Sequence, residues 1–236
     1  MFFFFFSVGL QSQSFDGYSI YIMDSIYNMT CKMPKKFTDL HFMESFSKED
    51  PYFHDTVDLI LYCPVIQSPD AHCIIMYFIP FYITPKEQAF YDRFNRAINK
   101  KIGNRHLSHR YQMNAHLKGI SGTDTFIFSD YVTVWPQTES LAQFNADSVF
   151  VFNIPVPAGQ PYRNKYTHSM AMFISKYDRP YIWTIWFFTD KGYKNRKKYL
   201  SAFNKTIWYK DGWMPDEEKI REGWNCWCND KRLIPQ

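Results

Sequence analysis

The sequence predicts an α+β protein, with an antiparallel β-sheet packed against two main helices and a short C-terminal tail. Three observations predict it. Apolar, β-rich runs recur along the chain, most clearly at 72–83, 166–175 and 181–188. Two segments, 85–102 and 193–209, repeat their apolar residues at helical spacing. The strands are separated by turn-rich stretches of the kind that join antiparallel neighbours.

The chain opens with Phe2 to Leu10, an apolar run too short for a membrane span, which needs roughly 18 residues, but suited to the core of an export signal. Ser12 and Ser14 supply the small residues a signal peptidase accepts, so residues 1–14 read as a signal peptide. No Lys or Arg stands between Met1 and the Phe run, so the basic n-region is missing, which points to a start a few codons upstream. The reading places the protein outside the cytoplasm, periplasmic or associated with the cell envelope. Past residue 14 no other segment is long and apolar enough to cross a bilayer.

Residues 15–211 read as a single domain. Runs 17–23, 37–46 and 56–63 are β-rich, and 56–63 alternates. The run 72–83 is apolar on both sides, as a strand covered on both faces would be. With Pro64 and Ser68-Pro69-Asp70 between them, 56–63 and 72–83 suit a hairpin with a long loop. Thr84, Pro85 and Glu87 then form an N-cap, first-turn proline and capping box, which start a helix over 85–102. Phe90, Phe94, Ile98 and Ile102 line up on one face as its buried stripe, and Gly103 stops it.

In 105–118, Leu107, Tyr111, Met113, Ala115 and Leu117 fall on odd positions with polar residues between them, which predicts a half-buried strand. Gly119 to Asp124 then form a turn. Strands follow at 126–134, 148–154, 166–175 and 181–188, the last two joined at Tyr177-Asp178-Arg179-Pro180. A helix over 193–209 and a Trp-rich tail, 212–236, complete the chain.

A net charge of +4, from 27 basic and 23 acidic residues, is too balanced to imply nucleic acid as a partner. His106, His109 and His116 would suggest a metal if they shared a helical face. On a strand, His106 and His109 point apart, and His106 and His116 are about 33 Å apart, so no metal site is predicted. No nucleophile elbow, phosphate loop or zinc spacing is present, so no catalytic or cofactor-binding residue is assigned and no cofactor is implied. Cys63 and Cys73 end and begin neighbouring strands and could pair in an oxidising compartment, with a buried free thiol as the alternative. Trp213, Trp224 and Trp227 could form a partner-binding platform, or the tail could fold back on the core.

From Met33-Pro34-Lys35-Lys36-Phe37 onward, the order of elements resembles the PsbP-like family: a strand pair, a helix, antiparallel strands and a closing helix. The resemblance covers about residues 33–210 and carries no diagnostic motif. It implies an α/β sandwich on an antiparallel sheet, used for binding and often exported. The expected function is a non-catalytic envelope module that binds an unknown envelope protein or glycan. An envelope hydrolase with a scattered site, or a structural subunit of an envelope complex, are the alternatives.

Overall fold

The computed structural model describes residues 15–40, 44–46, 59–61, 64–98, 104–156 and 165–221. Its centre is a seven-stranded antiparallel sheet. The strands are β2 (Thr38–Asp39), β5 (Val65–Gln67), β6 (Cys73–Tyr77), β10 (Ile182–Phe188), β9 (His168–Ser175), β8 (Ser148–Ile154) and β7 (Thr133–Val134), in that spatial order. Two separate pairs complete the β structure: β1 (Met29–Cys31) with β11 (Ile207–Tyr209), and β3 (Glu44–Phe46) with β4 (Leu59–Leu61). The α+β class expected from the sequence is the observed one.

The doubly apolar runs sit where their composition requires. β10 lies between β9 and β6, with Phe188 opposite His168 on one side and Cys73 on the other. Side chains alternate between the faces. Cys73, Ile75, Tyr77, Met170, Met172, Trp186 and Phe188 enter one core, whereas Ile74, Met76, Ala171, Phe173, Ile185 and Phe187 enter the other. Both cores are closed by other elements, so the sheet is the middle of three layers.

The first core is covered by the π-helix Tyr18–Ile26, by α4 (Gln137–Phe144) through Phe144, and by α6 (Arg196–Phe203) through Tyr199 and Phe203. Met113 and Leu117 of α2 (Ser108–Ser121), with Phe126 and Phe128, cover the second. No helix among the described residues is long and apolar enough to cross a membrane.

Several expectations are corrected. The run 17–23 is not a strand. Tyr18, Ile22, Met23 and Ile26 are buried together, a helical spacing, while Ile20 and Tyr21 face out. The i→i+5 bond from Tyr27 N–H to Ile22 O, at 3.3 Å, marks its wider winding. Tertiary packing overrides the β-propensity of its Tyr and Ile residues.

The run 105–118 is also helical, with a 3₁₀ turn Arg105–Leu107 leading into α2. Its buried positions are Ser108, Met113, His116 and Leu117, the last three at intervals of three and one, while the odd-numbered Tyr111 and Ala115 are exposed. The odd-position alternation was a coincidence of composition. Gly122, at φ 67°, closes α2 by donating its N–H to Lys118 O at 2.9 Å, so 119–124 ends a helix rather than linking strands.

Run 126–134 becomes the short α3 (Phe128–Tyr131) and the two-residue β7. The 37–46 run is divided between two sheets. Of 56–63 only 59–61 lies among the described residues, and that strand does not pair with β6 as the expected hairpin would have it. β5 is the neighbour of β6 in that position, while β4 pairs with β3. Helix 193–209 is broken at Asn195 into α5 (Asp190–Lys194) and α6, and Ile207 belongs to β11 opposite Cys31. Helix α1 (Pro85–Ile98) forms as expected, but residues 99–103 lie outside the described residues, as do 1–14.

Candidate functional site

The start of α1 is fixed from two directions. Thr84 N–H donates to Glu87 Oε2 at 2.8 Å and Glu87 N–H donates to Thr84 Oγ1 at 3.2 Å, which completes the capping box. From the far end of the chain, Glu217 Oε1 accepts the Lys86 N–H at 3.1 Å. Residues 213–221 are thereby drawn against α1, and Ile220 is buried in the first core.

Two clefts open along α1. One, of 670 Å³, lies between α1 and 217–221 and is lined by Phe81, Phe90, Lys86, Arg93 and Arg221 among others. The second, of 460 Å³, runs between α1 and α2 past Phe81, Ile83, Tyr91, Tyr111 and Tyr181, with Ser108 and Gln112 as its polar groups. Both volumes fall within the range of about 300–1,000 Å³ that small-molecule sites occupy.

Phe81 is the wall the two clefts share. An isolated bridge pairs it with Tyr181, and the two rings stand 6.1 Å apart. Phe81 keeps 39%, Phe90 58% and Tyr111 43% of its surface exposed. The stripe expected to bury Phe90 and Phe94 therefore points outward; their rings lie 6.4 Å apart and nearly parallel, at 8°. Its correct period was visible in the sequence, but which way the face turned was not. α2, read as a strand, left no second helix to complete the groove.

Trp213 is folded back on the molecule. Its indole N–H donates to Ile26 O at 3.0 Å, its ring meets Tyr82 edge-on at 5.0 Å, and the Arg179 guanidinium lies 4.8 Å from its centre. Trp224 and Trp227 lie outside the described residues. So does Cys63, while Cys73 is a free thiol, buried, with its pKa pushed up by burial and by nearby Asp70.

The histidines do not converge on a metal. His106 stacks on Tyr177 with centroids 4.6 Å apart, and His109 stacks on Phe150 at 5.6 Å. His116 lies 3.1 Å from Gln112 Nε2 and against Trp183 and Phe173. Burial lowers its pKa to about 3, and burial with the charge of Arg110 lowers that of His109 to about 4. Among the described residues no group of three His, Cys, Asp or Glu is placed to hold a metal ion.

Elsewhere, His168 Nε2 is 2.9 Å from Asp190 Oδ1, and Thr167 Oγ1 donates to that same oxygen at 2.6 Å. The His168 ring stacks on Tyr193 at 4.3 Å. The Asp190 side chain is exposed and that of His168 half-buried, with 74% and 40% of their surfaces open to solvent. No protein-family model, curated protein or solved structure matches the chain.

Proposed function

We propose that this chain is an exported, non-catalytic binding module of the cell envelope, PsbP-like in architecture, that holds its ligand in the aromatic clefts around Phe81. The observation that carries the reading is the convergence of rings from separate segments. Phe81 precedes α1, Phe90 and Tyr91 belong to α1, Tyr111 to α2, and Tyr181 to the entry of β10. Phe81, Phe90 and Tyr111 are the solvent-exposed rings of this set, and such rings gain from contact with a ligand surface. The apolar run Phe2 to Leu10, with Ser12 and Ser14 behind it, supports export. The antiparallel strands β8, β9 and β10 followed by α5 and α6 keep the part of the element order on which the PsbP-like likeness rests, although α2, α3 and α4 precede them and β11 follows.

A thermal-shift screen of envelope glycans, peptides and small amphiphiles tests this reading. Hits should stabilise the wild-type protein and be lost in a Phe81→Ser, Tyr111→Ser double variant. Hits that persist in that variant would place binding elsewhere.

A hydrolase reading draws on one observation, the Asp190 carboxylate beside His168, since an imidazole oriented by a carboxylate is a general-base arrangement. Turnover of a screened compound that disappears in His168→Ala but survives Phe81→Ser would favour it.

A further inference from the structure

The larger cleft is lined by three cationic and three acidic side chains. Lys86, Arg93 and Arg221 line it, and none of the three makes an ion pair among the described residues. Three carboxylates line it too, but two of them are already engaged. Glu87 accepts the Thr84 N–H and Glu217 accepts the Lys86 N–H, both at the start of α1, where the helix dipole offsets part of their negative charge. Glu218 remains as the acidic group with no such bond among the described residues. Three cations thus line the cleft with three carboxylates, and two of those carboxylates have one oxygen each committed to a backbone N–H, so the two guanidinium forks and the ammonium have side-chain donors to spare for a ligand.

Their neighbours are apolar. Phe81 and Phe90 line the same cleft, and beyond Phe81 the second cleft is walled by Ile83, Tyr91, Tyr111 and Tyr181. We infer that the ligand is an organic anion with an apolar body: an acidic head bound by Lys86, Arg93 and Arg221, and a chain or ring system laid over Phe81 toward Tyr111. This inference rests on the reading of the clefts as a binding site and adds the ligand's chemistry. Carboxylate and phosphate heads both suit a guanidinium fork, and an alkyl or aryl body gains from being removed from water against the rings.

The test is calorimetric titration of the full chain with decanoate, decyl phosphate and neutral decyl maltoside, all as monomers in solution. At least one anion should bind tenfold or more tighter than the maltoside and weaken as salt rises to about 0.5 M. Whether decanoate or decyl phosphate binds more tightly identifies the head group. Arg93→Gln with Arg221→Gln should cost the anion about tenfold in affinity and leave the maltoside unchanged. Both arginines lie on an exposed rim, so an unchanged melting temperature verifies that the variant is folded.

Equal binding of anion and maltoside, lost together in Phe81→Ser, would overturn the anionic head and leave the cleft reading standing. Salt-independent anion binding, or full anion binding by the double arginine variant, would also overturn it. If no decyl compound binds, the inference fails. The cleft reading then fails as well only if the thermal-shift screen yields no Phe81-dependent hit.

Discussion

Lys86 and Glu217 are 131 residues apart in sequence, and the backbone N–H of the first donates to the carboxylate of the second at 3.1 Å. That contact joins the start of α1 to the segment after β11 and makes one wall of the larger cleft. Because the bond is exposed, its loss should cost under about 1 kcal/mol of global stability. Its local effect should be larger. Glu217→Ala is expected to raise amide hydrogen exchange at Lys86 and across 217–221 while leaving β9 and β10 protected.

Trp213 anchors the same segment. Its ring contacts Tyr27 and Tyr82, its N–H reaches Ile26 O, and Arg179, which donates to Tyr27 O and Lys210 O at 2.7 Å, lies over it. Trp213→Ala removes a partly buried aromatic and leaves Ile26 O without this donor. It should destabilise the fold by about 2 kcal/mol, read as a lower urea midpoint. A change within about 0.5 kcal/mol, the usual scale of surface substitutions, would mean that the indole is a surface group.

His116 makes stability fall in mild acid. Its pKa is about 3 in the folded protein and 6.5 for an imidazole side chain in water, so between those values the unfolded chain binds the extra proton. Stability therefore declines as pH drops from about 6.5 toward about 3, by up to ~1.4 kcal/mol per pH unit for this group alone. His109, lowered to about 4, adds to the slope over its own window. His116→Gln should flatten the pH dependence of the urea midpoint below about pH 6.5 without abolishing it, because His109 remains. An unchanged slope would show that His116 titrates normally.

The capping box and the aromatic face of α1 should respond differently to substitution. Thr84→Ala removes the oxygen that accepts Glu87 N–H and should cost about 1 kcal/mol. Phe90→Ser, at a ring 58% exposed, should stay within about 0.5 kcal/mol of the wild type. Comparing the two urea midpoints tells whether α1 is held by its cap or by that ring.

What was legible in the sequence follows from how local each signal is. Runs 148–154, 166–175 and 181–188 become strands with little change in boundary, since short apolar runs rich in β-branched and aromatic residues and bounded by turn residues are a local signal. Thr84 and Glu87 mark the start of α1 through a contact only three residues long. Periodicity failed where the tertiary partner decides. In 105–118 odd positions mimic a strand, yet Met113, His116 and Leu117 face Phe150 and Phe173 across a helix–sheet contact. The site was illegible for a related reason. Phe81, Tyr111 and Tyr181 are far apart in sequence and meet only after α1 and α2 are placed.

The most direct test of the Phe81-centred site is a ¹H–¹⁵N correlation spectrum of the full chain, titrated with whichever screened compound binds most tightly. The perturbed amides are expected to cluster at 81–93, 108–112, 181 and 217–221, and Phe81→Ser to abolish the perturbations. Perturbations centred instead on 167–168 and 190–198, unaffected by Phe81→Ser, would contradict a site at Phe81.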